Sequence, residues 1–307
     1  MQSLLRLVQL GADRRIRRSG LLLETRRVNL GEGRASVRVL RPTGPVRGVV
    51  LDFHGGGWVI GNARMNDRVN EARIRACDVA VVSVDYRLFG STKLEGLIND
   101  CVAATSWLLR DEDHAFAGLP VIVVGESAGA HLAAVTLLRL KESKELLHRI
   151  AGAVLFYGVY DLAGSASVRN AGRETLVLDG PTMLRGLRFI TPDLDDAGRR
   201  GPSLSPLYEE LSGLPPALMF VGELDPLRDD TLQMVQRWRE VADVEMHLVP
   251  KSPHGLIQFS TSIAKKVLAR SHAWINDRLD QPGVSSIGSD RNGRGDSLGR
   301  VNRLEDN

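Results

Sequence analysis

The chain has little cysteine, few aromatic residues and no long apolar run. Cys77 and Cys101 are the only cysteines among its 307 residues, and small secreted proteins that depend on disulfides use many more. We expect both thiols to be free, with one disulfide between them as the alternative. Every apolar run is far shorter than the roughly 20 residues of a membrane-spanning helix. These absences argue against a disulfide-stapled secreted domain and against an integral membrane protein.

An excess of either charge is also missing. The chain carries 40 Lys and Arg against 37 Asp and Glu, a formal net charge of +3, which gives no general signal for binding polyanions. We therefore expect no nucleic-acid partner. An apolar cluster at the start is interrupted by Arg6 and is followed by Arg14, Arg15, Arg17 and Arg18. This order does not fit a signal peptide; it predicts an amphipathic helix that packs on the protein rather than on a membrane, and we expect a cytoplasmic protein.

Apolar runs and helical patterns alternate along most of the chain. Continuous apolar runs are typical of strands buried on both faces, and they occupy residues 49–53, 79–84, 121–124, 153–156, 217–221 and 244–249. Residues 23–40 alternate instead, which predicts an antiparallel pair at the start. Strand alternating with helix over this length predicts an α/β fold with a mostly parallel, doubly wound sheet.

Composition divides the chain into three parts, the second of which contains an insertion. We assign residues 1–30 to an N-terminal helical segment that belongs to a lid, and residues 31–280 to the α/β domain. Residues 161–211 have no clean strand, only short helical pieces among Gly, Pro and Arg, and we interpret them as a lid insertion over the edge of the sheet. Residues 281–307 have almost no apolar content, so we expect this tail to be disordered.

The strongest chemical motif is Gly125-Glu126-Ser127-Ala128-Gly129. GxSxG alone is a weak signal, but here an apolar strand leads in and a helical pattern leads out. A sharp turn from strand to helix needs glycine where a Cβ would collide, and it raises the serine hydroxyl above the sheet. The context therefore predicts that Ser127 is a nucleophile. The alternative, a small-residue turn that only packs, does not need this arrangement.

The second motif is His54-Gly55-Gly56-Gly57-Trp58, directly after an apolar strand. Three adjacent glycines are conformationally expensive, and here they allow bare main-chain N–H groups to approach a substrate carbonyl. Gly55, Gly56 and Gly57 together with the N–H of Ala128 are therefore the candidates for an oxyanion hole. The alternative is a flexible turn without a ligand.

A base and an acid follow later strands. Of the seven histidines, His254 is best placed, because it lies in a loop at the carboxyl end of a strand, where open α/β sheets hold their reactive groups. Asp225 occupies the corresponding position after the preceding strand, with Glu223 as its rival. His131 is near Ser127 in sequence, but it starts a helix and points away, and His247 lies inside a strand. The order Ser, Asp, His is the one expected of this arrangement.

These blocks together resemble the hormone-sensitive lipase family of bacterial-type carboxylesterases. The resemblance extends from about residue 40 to residue 279, and four blocks match in order: HGGGW, GESAG, ELDPLRDD and PHG. It implies an α/β-hydrolase fold with a small helical lid, and hydrolysis of carboxylic esters without a cofactor. It also implies that the oxyanion donors are chiefly Gly56 and Gly57.

Three departures from the family pattern bear on the substrate range. Phe89-Gly90-Ser91 stands where the family usually has alanine-proline-glutamate, and Ala130-His131 stands where it usually has glycine-asparagine. The glycine block starts at residue 54, earlier than is usual, which predicts that the N-terminal part of the lid is abbreviated. None of these departures touches the candidate triad.

The sequence therefore predicts a serine carboxylesterase for short-chain esters, with a small-molecule ester as its partner. Two other functions stay open: an arylformamidase-like amidase, whose HGGxW block residues 54–58 also satisfy, and a non-catalytic receptor on the same fold, as in the plant gibberellin receptors. Such receptors lose the catalytic histidine, whereas His254 is present. The chain has no HExxH or CxxC pattern and no dinucleotide-binding glycine loop, so we expect neither a metal nor a cofactor. A homodimer stays open.

Overall fold

One mixed β-sheet organises the protein. The computed structural model describes residues 2, 9–110, 115–281 and 302–303. In this part of the chain the strands lie side by side in the order β1-β2-β4-β3-β5-β6-β7-β8-β9. Their bounds are β1 Leu22–Leu30, β2 Gly33–Arg41, β3 Gly48–Phe53, β4 Val79–Asp85, β5 Val121–Glu126, β6 Ile150–Phe156, β7 Ala217–Gly222, β8 Val244–Val249 and β9 Asn302–Arg303.

The centre of the sheet is parallel and buried. From β4 to β9 every neighbouring pair is parallel, whereas β1 with β2 and β2 with β4 are antiparallel. Every residue of β3, β5, β6 and β7 is buried, as the continuous apolar runs predict for strands covered on both faces. The predicted α/β fold with a mostly parallel sheet is confirmed.

Helices connect the strands and cover the sheet. The packed pairs include the helix Leu94–Arg110 with Ala128–Arg139, and Asp67–Cys77 with Ser262–Asp280. In chain order the α-helices of the described residues are α1 Ala12–Arg18, α2 Asp67–Cys77, α3 Leu94–Arg110, α4 Ala128–Arg139, α5 Lys144–Leu147, α6 Ala166–Asn170, α7 Gly180–Ile190, α8 Asp196–Arg199, α9 Arg228–Arg239 and α10 Ser262–Asp280.

The N-terminal segment joins the sheet earlier than the sequence division placed it. Helix α1 packs on the protein through the fully buried Ile16, and Asp13 accepts from Arg38 at 2.8 Å and from Arg64 at 3.0 Å. The hairpin β1–β2 then begins at Leu22, so the boundary after residue 30 separates the two strands of one hairpin. Only Val28 of β1 is buried, so this strand has no continuous apolar run. The alternation of residues 23–40 predicts it instead, as one strand of an antiparallel pair. The apolar cluster of residues 3–8 lies outside the described residues.

The insertion between β6 and β7 contains short helices and, as expected for residues 161–211, no strand. Buried hydrogen bonds hold the start of the insertion against α9 and against the last part of the insertion. Asp230, in the first turn of α9, accepts through Oδ1 from the main-chain N–H groups of Tyr160 and Asp161 at 2.8 and 2.9 Å. The hydroxyl of Ser205 accepts from the N–H of Leu162 at 2.8 Å. Both ends of the insertion are therefore fixed in place.

The buried carboxyl of Asp230 makes the free energy of unfolding depend on pH. Burial raises its pKa from 3.8 to about 7. A carboxyl whose pKa is higher in the folded state stabilises the fold below its unfolded pKa and loses that contribution as the pH rises through the folded pKa. Asp230→Asn keeps an oxygen for Tyr160 and Asp161 but has no carboxyl to titrate. As the pH rises from about 4 to about 8, we expect its free energy of unfolding to increase by about 1–3 kcal/mol relative to that of the wild type.

Urea unfolding of both proteins at each pH measures this difference. An equal difference between wild type and Asp230→Asn at the two pH values would show that the carboxyl does not titrate in this range.

Both cysteines are buried and free, as expected. Burial raises the pKa of the Cys77 thiol to about 11, so it stays protonated near neutral pH. In the part of the chain that the structure describes, no helix has both the length and the apolar character needed to cross a bilayer. The tail 281–307, expected to be disordered, lies outside the described residues except for Gln281 and the two residues of β9, which pair with β8.

Candidate active site

Ser127 lies at a strained turn between β5 and α4. Its backbone has φ 53° and ψ −122°, a combination that an L-residue adopts only when its surroundings force it. A Cβ on Gly125 would lie 2.6 Å from the oxygen of Gly129, and a Cβ on Gly129 would lie 2.1 Å from the oxygen of Phe53. Both flanking positions therefore require glycine, and the turn presents the Ser127 hydroxyl at the carboxyl end of the sheet.

Two hydrogen bonds join Ser127, His254 and Asp225 in a line. The Ser127 Oγ lies 2.9 Å from Nε2 of His254, and Nδ1 of His254 lies 2.9 Å from Oδ2 of Asp225. His254 and Asp225 are buried; they follow β8 and β7. An ionised carboxylate only accepts, so the proton of a neutral imidazole is on Nδ1 and the lone pair of Nε2 faces the serine hydroxyl.

The rival Glu223 and the nearby Asp229 face other partners. Glu223 accepts from the N–H of Lys251 at 3.2 Å. Asp229 accepts from the N–H of Ser167 at 3.0 Å and pairs with Arg228. Asp225 is therefore the carboxylate that the structure brings to His254, and its second oxygen, Oδ1, accepts from the N–H of Leu227 at 2.8 Å.

The glycine loop lies beside Ser127. A Cβ on Gly55 would lie 3.3 Å from Glu126 and 3.5 Å from the Cβ of Ser127. Gly56 has φ 110°, and a Cβ there would lie 2.0 Å from the oxygen of Ile60, so no other residue fits. Among the described residues, no main-chain hydrogen bond uses the N–H of Gly56 or Gly57. These donors, with the N–H of Ala128 at the start of α4, are free for an anionic oxygen.

The other buried histidines have structural partners. His54 Nδ1 lies 2.7 Å from the oxygen of Gly55, and its ring stacks on Tyr86 at 4.2 Å between centroids. Burial lowers the pKa of His54. His131 points away from Ser127, as the sequence predicts, towards Trp58. His247 lies against Glu245 and stacks on Phe220.

Sequence reasoning missed a polar cluster beneath Ser127. Glu126 is buried and accepts from the Tyr157 hydroxyl at 2.7 Å and from the Gln258 amide at 3.0 Å. The Tyr157 ring meets the His254 ring edge to face, with 4.8 Å between centroids. Burial, then the nearby Glu126, raises the Tyr157 pKa, so its hydroxyl stays protonated and donates. The sequence did contain one signal for Tyr157, because it directly follows a buried strand. Asp225 and His254 were found from similar positions, a few residues after their strands.

Two cavities lie near the elements that carry these residues. The larger, about 820 Å³, is lined by Val59, Gly61 and Phe89 among others, just after the glycine loop in the sequence. The smaller, about 460 Å³, is lined by Asp225 and Pro253 on one side and by residues 167–176 of the insertion on the other. Within the described ranges, no group of three or more His, Cys, Asp or Glu side chains is arranged to hold a metal ion.

Comparison with known proteins agrees with this architecture. A family model described as alpha/beta hydrolase fold matches residues 50–258. An arylesterase of Saccharolobus solfataricus is 32% identical over 218 residues, which are 67% of this chain and 68% of that protein. Carboxylesterase NlhH of Mycobacterium tuberculosis is 31% identical over 224 residues, 69% of this chain and 67% of that protein.

Solved structures of similar fold include esterases. An esterase of Pyrobaculum calidifontis has a TM-score of 0.73 at 28% identity, with 83% of this chain and 85% of that chain covered. EstE1, a thermostable carboxylesterase cloned from a metagenomic library, has a TM-score of 0.75 at 27% identity, with 92% and 98% covered. Fold, motif order and relatives agree, and the chain belongs to the hormone-sensitive-lipase-like carboxylesterase family of the α/β-hydrolase superfamily.

Proposed function

We propose that this protein hydrolyses small carboxylic esters through an acyl-enzyme on Ser127. The observation that carries the proposal is the line of two 2.9 Å hydrogen bonds from Ser127 through His254 to Asp225. In the first step Nε2 of His254 takes the hydroxyl proton while Oγ attacks the ester carbonyl carbon. Asp225 holds the imidazole tautomer and stabilises the imidazolium that forms. The imidazolium then gives its proton to the leaving alcohol.

The glycine loop and the start of α4 stabilise the charge on the carbonyl oxygen. The N–H groups of Gly56, Gly57 and Ala128 are the proposed donors, and Gly55 leaves the loop room to lie against the nucleophile turn. Donors that are fixed before the reaction stabilise the tetrahedral intermediate without reorganisation. The N-terminus of α4 adds positive potential at the same point. Water repeats the sequence on the acyl-enzyme and releases the acid.

The names of the relatives support an ester rather than an amide. The similar proteins include an arylesterase and a carboxylesterase, whereas the glycine block alone fits a formamidase equally well. A receptor without catalysis has no need for the hydrogen bond between His254 and Ser127.

We expect short acyl chains to be preferred. The insertion supplies short α-helices of 5, 11 and 4 residues and a 3-10 helix of 3 residues, which leaves little enclosed apolar wall for a long chain. Each buried methylene contributes about 0.8 kcal/mol, so chain-length preference measures the depth of the pocket. Across a series of p-nitrophenyl esters, kcat/KM should be highest at about two to six acyl carbons.

The same series tests the function itself, with the Ser127→Ala variant as the blank. An increase in kcat/KM that continues beyond about ten carbons would contradict the shallow pocket. N-formylkynurenine included in the panel separates the amidase: if it is turned over faster than every ester, the ester assignment is wrong.

A further inference from the structure

His131 occupies a fully buried position in the first turn of α4 and uses both of its ring nitrogens. The indole N–H of Trp58 lies 3.2 Å from Nδ1, and Nε2 lies 2.7 Å from the main-chain oxygen of Leu204. The Trp58 and His131 rings meet at 86° with 5.3 Å between centroids. This side chain is outside the line of groups that handle the proton, so its role is a separate question.

The partners of His131 fix its tautomer. An indole nitrogen only donates and a carbonyl oxygen only accepts. Nδ1 must therefore be the unprotonated acceptor, and Nε2 must carry the proton that it donates to Leu204. Burial lowers the pKa of His131 to about 4, which agrees with a neutral ring near neutral pH.

The ring joins three separate parts of the protein. Trp58 directly follows Gly57, has φ 64° and is the first large side chain after the glycine loop. Leu204 lies in the last part of the insertion, where its own N–H donates to the oxygen of Gly201 at 2.9 Å. His131 itself lies on the helix that begins next to Ser127. One imidazole thus connects the glycine loop, the nucleophile helix and the insertion.

We infer that His131 is a positioning residue for the oxyanion donors, acting through the indole of Trp58; this inference rests on the proposed esterase function. The glycines have no side chains with which to anchor themselves, and both Gly56 and Gly57 have positive φ. The anchored indole is the nearest fixed point on their carboxyl side. Oxyanion stabilisation depends on where the donors are held, and misplacement by about 1 Å costs on the order of 10²-fold in rate.

The test compares a variant that removes both hydrogen bonds of His131 with two variants that each keep one of them. His131→Phe removes both hydrogen bonds and should lower kcat roughly 10- to 100-fold with KM changed by less than about 3-fold. In His131→Asn the side-chain oxygen takes the place of Nδ1 and keeps the Trp58 contact, so kcat should stay within about 3-fold of wild type. His131→Gln places its amide nitrogen near Leu204 instead and should resemble His131→Phe.

Two further measurements separate positioning from stability. The inhibition constant of a short alkyl trifluoromethyl ketone, whose adduct carries the oxyanion, should rise by the same factor as kcat/KM falls. His247→Phe is the matched control, because it also replaces a buried histidine. The contacts that the structure describes for His247 are with Glu245 and Phe220, away from the glycine loop. This control should lower Tm while leaving kcat unchanged.

Trp58→Phe removes the donor of the hydrogen bond between Trp58 and His131. This variant tests the inference even if His131→Phe does not fold. It should lower kcat by a similar factor, and the double variant should be no slower than either single variant, because both remove one interaction. Wild-type kcat in His131→Phe, or in Trp58→Phe, overturns the inference. A wild-type protein that hydrolyses no ester contradicts the proposed function instead.

Discussion

Replacing Ser127 by alanine should lower kcat for ester hydrolysis by about 10⁴-fold or more, because the members of a triad act as a unit. In the proposed mechanism this hydroxyl forms the acyl bond, and no second hydroxyl is held against Nε2 of His254 among the contacts of the described residues. Water in the vacated space is a weaker and less well-oriented nucleophile. The remaining activity then reflects only binding and the oxyanion donors.

The fold should survive this change. Alanine removes one oxygen from a partly exposed turn, so the free energy of unfolding should change by no more than about 0.5 kcal/mol. Ser252→Ala is the matched control: Ser252 is a buried serine of the histidine loop whose hydroxyl donates to the oxygen of Pro250 at 2.9 Å. It should keep its activity and its reaction with a fluorophosphonate probe, and Ser127→Ala should lose both. Half of the wild-type activity in Ser127→Ala would refute the mechanism.

The central sheet and the meeting of the three side chains could be predicted because each depends on a local pattern. Buried parallel strands appear in the sequence as unbroken apolar runs. Parallel strands present their carboxyl ends at one edge of the sheet, so Ser127, Asp225 and His254, which follow three such strands, are brought close together. The structure holds them at hydrogen-bond distance. Their catalytic roles remain predictions.

The contacts that could not be predicted join positions far apart in the sequence. Nothing near His131 indicates that its ring meets Trp58, 73 residues earlier, and Leu204, 73 residues later. The same holds for the Tyr157 hydroxyl and Glu126, 31 residues apart. Such pairs depend on how strands are ordered in space, and β3, β5 and β6 are neighbours only in the folded sheet. The alternation of residues 23–40 predicts the first strand and its antiparallel partner. The division after residue 30 nevertheless left β1 outside the main domain, because this edge strand carries no continuous apolar run.

Asp225→Asn should lower kcat by about 10⁴-fold, because it reverses the tautomer of His254. The N–H of Leu227 donates to Oδ1 of Asp225 at 2.8 Å, so the amide oxygen of an asparagine takes that place. Its NH₂ group then lies where Oδ2 now faces Nδ1 of His254. A donor at this point makes Nδ1 the acceptor and moves the imidazole proton to Nε2. Nε2 then has no lone pair with which to take the Ser127 proton.

Steady-state kinetics on one ester measures the loss, and Glu223→Gln is the control. Glu223 is two residues away and accepts from the Lys251 N–H, so its replacement should leave kcat within about 2-fold, as is usual for a change outside the site. The KM of Asp225→Asn should change little, since asparagine has nearly the same shape as aspartate and the hydrogen bond to Leu227 is kept. A large loss in Glu223→Gln with a small one in Asp225→Asn would transfer the role of the acid to Glu223. Small losses in both would mean that another group sets the tautomer of His254. Among the described residues, however, the carboxylate hydrogen-bonded to Nδ1 is that of Asp225.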